Sequence, residues 1–303
     1  MKHLLSIEQL TASDIGEILQ AARQYKQSRG RESSLPLQGQ TWVLIFSKSS
    51  TRTRVSFQVG IRELGGYSLF LNASEIQLGR GEQVKDTARV LGRMVHGAII
   101  RTFAQLEVVE FARHSAIPTI NALTDEEHPC QILSDLFTIQ EQLGSLPGKV
   151  ITFVGDAACN VAVSWIFAAA RLGFELRLAA PPEFQPPPEL LARAGGRVTC
   201  LEDPREAAAG AHVIYTDVWV SMGKEAESAD RLKVLRPYQI NQSLVRCARP
   251  EAMVMHCLPA YKGQEIDEET FEKNARIIFD QAENRLHAQK AILAWLVGAA
   301  PAS

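Results

Sequence analysis

Cysteine is scarce in this sequence and follows no pattern. Cys130, Cys159, Cys200, Cys247 and Cys257 are the only five in 303 residues, an odd number without C-x-x-C spacing. That argues against a disulfide framework or a zinc site, and free thiols imply a reducing compartment, the cytosol being the simplest expectation. No run approaches the roughly 20 apolar residues needed to cross a bilayer. The opening "MKHLLSIEQLTASDIGEILQAARQYKQ" reads as an amphipathic helix capped at Thr11 or Ser13, without the apolar centre and cleavage site of a signal peptide. A soluble, cytoplasmic protein without a membrane partner is expected. Charge of one sign is also lacking: the formal net charge is -2, so no overall field steers the chain to nucleic acid, and any basic function must be local. There is no evident repeat, and the proline-rich "PPEFQPPPE" (181–189) reads as a rigid surface connection.

What is present is an alternation of short apolar runs and longer helical patterns. The composition, 46% hydrophobic and 22% charged, is that of a globular protein, and the length predicts two domains. Strands are expected near 41–46, 67–72, 97–102, 118–123, 150–155, 175–180, 213–218 and 253–258. Helices are expected near 52–64, 82–94, 105–114, 129–143, 160–172, 187–194 and 283–298. This rhythm predicts an α/β fold: two domains, each a mostly parallel sheet flanked by helices, with the active site in the cleft between them. The loop "LGSLPGK" (143–149) divides the chain near its middle.

Polar residues gather where the expected strands end, which in open α/β sheets is the ligand crevice. "FSKSSTRTRVSF" (46–57) crowds hydroxyls and arginines onto a strand-to-helix junction. A helix N-terminus offers unpaired N–H groups, and Arg52 and Arg54 add fork-shaped donors, a set suited to phosphate. The plainer alternative is a Ser50 or Thr51 cap with solvated arginines. G-x-x-x-x-G-K-[ST] is absent, so a nucleotide is not implied. Arg101 is either an ordinary strand-end charge or a ligand group. "HPCQ" (128–131) is either a helix start with Pro129 at its first position or a His and Gln able to hold a carbonyl oxygen and an amide. "VGDAACNVAVSW" has the outline of a dinucleotide site without G-x-G-x-x-G, and Asp156 can simply satisfy backbone donors. Asp217, in "DVWVSMG" (217–223), either caps its turn or meets a substrate ammonium. In "HCLP" (256–259), Cys257 and His256 would point to opposite faces if the strand continues, so no Cys–His nucleophile pair is expected.

Together "STRTR" (50–54), "EQVKDTARVL" (82–91), "HPCQ", "DVWVSMG", "HCLP" and "AENRLH" (282–287) stand in the order of one family. The chain resembles the aspartate/ornithine carbamoyltransferase family, in its ornithine branch, over nearly its whole length. The resemblance implies a carbamoyl-phosphate domain at 1–145 and an ornithine domain at 146–282, with a final helix, about 283–300, returning to the first. It implies a homotrimer with sites at subunit boundaries. Ser50, Thr51, Arg52 and Thr53 would bind the phosphate. Arg101, His128 and Gln131 would hold the carbamoyl group, with Pro129, Cys130 and Arg285 beside them and Gln77 supplied to a neighbouring subunit. Asn160, Asp217, Ser221 and Met222 would grip ornithine's α-groups, and Cys257 with the Leu258 carbonyl would lie near its side-chain amine. One departure stands out: the family's Gly-Asp-Gly-Asn-Asn is "GDAACN" here, with Cys159 in place of the first Asn.

The reaction so implied is attack of ornithine's neutral δ-amine on carbamoyl phosphate, giving citrulline and phosphate, as in arginine biosynthesis. Arg101, His128 and Thr53 would stabilise the oxyanion, and Arg52 the leaving phosphate, each donor worth about 2.7–4 kcal/mol. No metal or organic cofactor is expected. Aspartate as acceptor would call for more basic residues, while putrescine and N-acetylornithine would leave Asp217 without an ammonium. A non-catalytic paralogue that kept the phosphate cradle is the rival from another class, and nucleic-acid binding rests on the local basic cluster alone.

Overall fold

The computed structural model describes residues 1–31, 34–77, 81–220 and 228–299. The chain forms two compact units: Met1–Phe137 with Asn284–Ser303, and Thr138–Glu283.

The first unit begins with α1 (Ala12–Gln27), whose N-cap is Thr11: its hydroxyl accepts from the Asp14 N–H, and Asp14 accepts from the Thr11 N–H in return. There follow β1 (Thr41–Phe46), α2 (Thr51–Glu63), β2 (Tyr67–Asn72), α3 (Val84–Leu91), β3 (Gly97–Arg101), α4 (Gln105–Ser115), β4 (Thr119–Leu123) and α5 (Pro129–Leu143), which passes into the second unit at Thr138. The four strands pair in parallel in the order β2-β1-β3-β4. Val43, Ile45, Ala98 and Ile100 pack against Ala88, Val108 and Phe111. Each large apolar side chain so buried stabilises the unit by about 1.5–3 kcal/mol relative to exposure. At Gly97 a Cβ would sit 2.4 Å from the Trp42 ring, so the indole lies on β3 only because that position carries no side chain.

The second unit holds β5 (Val150–Val154), α6 (Asn160–Leu172), β6 (Glu175–Ala179), α7 (Pro188–Ala194), β7 (Val198–Leu201), α8 (Pro204–Ala208), β8 (Val213–Thr216), α9 (Ser228–Leu235), α10 (Gln242–Val245), β9 (Met253–His256) and α11 (Glu268–Lys273). Its sheet is also all parallel, ordered β7-β6-β5-β8-β9. The last helix, α12 (Ala275–Leu296), enters the first unit at Asn284.

The two parallel-sheet layers are those expected from the sequence. Two expectations need correction. A strand, β7, lies between the helices α7 and α8, where none was read. The last helix starts at Ala275 instead of near 283, because the consecutive apolar residues Ile277, Ile278 and Phe279 mask a helical period.

Each sheet reverses its strand order once. β1 leads outward to β2 while β3 lies on its other side, and β5 leads outward to β6 while β8 lies on its other side. Ligands of open α/β sheets bind beyond the carboxyl ends of strands at such switch points. Among the described residues, no helix is long and apolar enough to cross a membrane.

Candidate active site

At the first switch point, β1 ends at Phe46 and β3 at Arg101, its register partner, and the Ser47 N–H donates to the Arg101 carbonyl at 2.8 Å. Ser50 caps α2, its Oγ accepting from the Thr53 N–H at 3.3 Å and donating to Thr53 Oγ1 at 3.0 Å. The capping role does not compete with anion binding: the cap uses the Thr53 N–H and aims the first turn of α2, which Thr51 and Arg52 begin. Arg54 is turned away onto the Phe70 ring, 3.6 Å from its centroid. It stacks on an aromatic face instead of extending the cradle.

Three more residues reach this corner from distant elements. Arg285, on α12, donates to Thr53 Oγ1 at 3.0 Å and to Gln131 Oε1 at 2.6 Å. Gln131 in turn donates to Asp135 at 2.8 Å, which fixes its amide orientation. His128 is buried, and its pKa is held well below the usual histidine value, first by burial and then by the neighbouring Arg285 and Arg101 charges. A neutral imidazole beside two guanidinium groups can donate to or accept from a bound group without adding to their repulsion. Pro129 occupies the first position of α5, and the Cys130 thiol, donating to the Asn121 carbonyl, is pushed up to about 12 by burial. Cys130 is a packing residue. Gln77 is exposed. Lys48, ion-paired with Asp125 and 4.3 Å from the Phe103 ring centroid, is a buried cation of the same turn that the sequence reading left unassigned.

The second switch point gathers another set. Gly155 has φ +129°, a backbone conformation open to glycine, and a Cβ there would lie 3.2 Å from the Trp219 indole nitrogen. Asp156 accepts from the Ala158 N–H at 3.0 Å and pairs with Arg231 of α9, both side chains buried. Asp156 is thus a structural anchor. Cys159 stands at the N-cap of α6 without a side-chain cap bond, its thiol pushed well up by burial and then by Asp156 and Asp217. Asn160 opens the helix, half-buried.

Asp217, beyond β8, accepts from the Val218 N–H at 2.7 Å and from the Cys257 thiol at 2.9 Å. Burial raises its pKa, opposed by His256 and by the Cys257 and Val218 hydrogen bonds. Its carboxylate therefore gains from any cation brought to it. Ser221 and Met222, also expected here, lie outside the described residues.

The expected divergence of His256 and Cys257 required the strand to continue, and it does not. β9 stops at His256 and the chain turns at Leu258, φ +59°, so donor atoms of Asp217, His256 and Cys257 come within 4.8 Å of one another. Such a trio has the chemistry to hold a soft metal ion, but both ring nitrogens of His256 are already engaged, with the Leu258 N–H at 2.9 Å and Glu265 at 3.0 Å. The sulfur faces a carboxylate, not the imidazole, so no thiol–imidazole nucleophile results.

Comparison with known proteins decides the lineage. The family model described as "Aspartate/ornithine carbamoyltransferase, carbamoyl-P binding domain" matches residues 2–141, and "Aspartate/ornithine carbamoyltransferase, Asp/Orn binding domain" matches 147–296. The chain belongs to the aspartate/ornithine carbamoyltransferase family. It is 56% identical to the ornithine carbamoyltransferase of Akkermansia muciniphila over 99% of both chains. It is 45% identical to the "Ornithine carbamoyltransferase, anabolic" of Pseudomonas aeruginosa, over 98% of this chain and 97% of that one. Among solved structures it superposes on the Pyrococcus furiosus ornithine carbamoyltransferase with a TM-score of 0.93 at 43% identity, covering 98% and 97% of the two chains. In this member of the family, the groups besides Lys48 that the sequence reading missed are Arg231, Glu265 and Gln281. They hold the neighbours of expected site residues, Arg231 through Asp156 and the Trp219 carbonyl, Glu265 and Gln281 through His256, and carry no local motif.

Proposed function

We propose that the protein transfers the carbamoyl group of carbamoyl phosphate to the side-chain amine of L-ornithine, giving L-citrulline and phosphate in arginine biosynthesis. The observation that carries this reading is the placement of two chemically different donor sets at the switch points of the two sheets. The first is cationic and rich in N–H and O–H donors, and suits a phosphate and a carbonyl. The second has an acid, an amide and a thiol, and suits an amino acid.

In this reading Ser50, Thr51, Arg52 and Thr53 hold the phosphate at the start of α2, where unpaired N–H groups and the helix dipole favour an anion. Pro129 and Cys130 shape the wall from which His128 and Gln131 meet the carbamoyl group. Asn160, Asp217, Ser221 and Met222 hold the α-groups of ornithine, Asp217 taking the ammonium. The neutral δ-amine, near Cys257 and the Leu258 carbonyl, attacks the carbamoyl carbon. Negative charge develops on the carbonyl oxygen, which Arg101, His128 and Thr53 stabilise. The carbon–oxygen bond to phosphate then breaks, the proton lost by the amine nitrogen passes to the departing phosphate oxygen, and Arg52 and the helix end take the resulting hydrogen phosphate dianion. Neutral His128 lets the two arginines act on the oxyanion without a third full charge in the ground state.

The protein acts in this reading as a cytoplasmic homotrimer with Gln77 completing a neighbour's site. Support for assembly lies in the first sheet. Its β4 edge is covered by Leu4, while among the described residues no strand pairs with the outer side of β2, and Tyr67 is 71% and Leu69 51% exposed. The deciding experiment measures product from carbamoyl phosphate with ornithine, putrescine, N-acetylornithine and aspartate in parallel, for the wild type and Arg52→Ala. Citrulline from ornithine alone, lost in the variant, is the expected result. Turnover of another acceptor would refute the ornithine assignment, and no product from any would leave a binding paralogue.

A further inference from the structure

We infer that His256 is a positioning residue for the amine end of the acceptor, acting in a single tautomer through the turn that follows it. This rests on the proposed function, which places Cys257 and Leu258 beside the attacking amine. A backbone N–H can only donate, so the contact from the Leu258 N–H at 2.9 Å requires a lone pair on His256 Nδ1. The ring proton therefore sits on Nε2, which donates to Glu265 Oε1 at 3.0 Å. His256 is 1% exposed and Glu265 fully buried, so water does not compete for either bond.

Glu265 does a second thing: its Oε1 also accepts from the Tyr261 N–H at 2.6 Å. The pair thus grips both ends of the segment Leu258 to Tyr261, one through the imidazole and one through the carboxylate. That segment begins with Leu258 at φ +59°, a conformation in which a side chain is strained and which the surroundings must hold. The strand end that carries the ring is held as well, because the His256 backbone N–H donates to Gln281 Oε1 at 3.0 Å.

The consequence lies one residue away from the imidazole. Orienting the Leu258 N–H orients the whole peptide plane between Cys257 and Leu258. That plane sets where the Cys257 thiol points, at Asp217 2.9 Å away, and where the Leu258 backbone faces. His256 touches no substrate in this arrangement. It decides whether the groups that do are aimed correctly.

The test uses the full-length enzyme with His256→Asn, His256→Gln and His256→Ala. An Asn side chain can put an amide oxygen near the position of Nδ1, whereas Gln reaches the position of Nε2. His256→Gln and His256→Ala should raise the ornithine KM about tenfold or more while His256→Asn stays within about threefold of wild type, the scale of one hydrogen bond kept or lost. The carbamoyl phosphate KM should stay within about twofold in all three, which separates aiming from general damage. Equal behaviour of the Asn and Gln variants, or a parallel rise in both KM values, would overturn the inference. Should the variants fail to fold, nitrogen-15 NMR of the wild type decides: a proton on Nε2 supports the inference, and a proton on Nδ1 refutes it. If the wild type instead uses another acceptor, the proposed function fails while the tautomer and the KM split, read with that acceptor, still test this one.

Discussion

Arg285 donates to Thr53 Oγ1 at 3.0 Å across 232 residues of chain, so the last helix completes a structure begun at the start of α2. The Thr53 oxygen accepts from Ser50 as well, and its own hydrogen is the one left to give. Arg285 thereby turns a hydroxyl that could point in several directions into an outward donor, and its other arm does the same for the Gln131 amide.

Lysine keeps the charge of Arg285 but not the fork. Arg285→Lys can reach Thr53 or Gln131, not both, and loses one hydrogen bond of the charged kind, about 1.5–3 kcal/mol. The expected outcome in steady-state kinetics is a carbamoyl phosphate KM about tenfold higher or more, with the ornithine KM nearly unchanged. An unchanged carbamoyl phosphate KM would show that Thr53 and Gln131 are held by other means.

In the second unit, Arg231 fastens the turn after β5 to the turn after β8, because it pairs with Asp156 and donates to the Trp219 carbonyl at 2.8 Å. Both charges are buried, so removing one strands the other. Arg231→Met or Asp156→Leu alone should destabilise the protein by about 3–5 kcal/mol, while the double variant Arg231→Met with Asp156→Leu should recover much of that loss. Urea unfolding of the four proteins as a double-mutant cycle measures it, and additive losses would mean that the two side chains act independently.

How much of this was legible in the sequence depends on how local each signal is. β1 and β2 stand at the expected 41–46 and 67–72, and α5 and α6 at 129–143 and 160–172, because apolar periodicity and proline or glycine boundaries are written within each segment. β7, four residues at a sheet edge with none buried, has too little apolar pattern to be seen. The short helices α8, α10 and α11 escape for the same reason. Asp217 and Cys257 were readable as strand-end groups. Their contact was not, since it depends on β9 stopping at His256 and on Leu258 entering the left-handed region. Arg231 lies 75 residues from Asp156, and no spacing rule joins them.

His128 makes a pH prediction whose sign follows from linkage. Its folded pKa is depressed, so between that value and about 6.5, the unfolded value, the unfolded chain binds a proton that the fold does not. Stability should therefore fall as pH drops below about 6.5, with His128 contributing at most about 1.4 kcal/mol per pH unit. His3 and His212, also depressed, add to the slope but are common to wild type and variant. Urea unfolding from about pH 7 to about pH 5 should show a shallower acid loss in His128→Asn than in wild type. Identical slopes would mean that the imidazole is as easily protonated in the fold as out of it.

The open edge at β2 makes the last prediction. Among the described residues no strand pairs with the outer side of β2, and such an edge beside exposed Tyr67 and Leu69 is a template for association that a closed ring satisfies. If the proposed homotrimer closes through this edge, Tyr67→Lys with Leu69→Glu lowers the mass in sedimentation equilibrium from about three chains to one. Activity should fall with it if Gln77 serves the neighbour, and complementation separates that from simple unfolding. Gln77→Ala and Arg52→Ala should each be impaired alone. Dissociated, mixed and reassociated, a Gln77→Ala chain keeps its Arg52 and can meet an intact Gln77 from an Arg52→Ala neighbour. A ring of three containing both variants has one such boundary, so about one site in three should recover in each mixed ring. Chains that each carry a complete site would recover nothing on mixing.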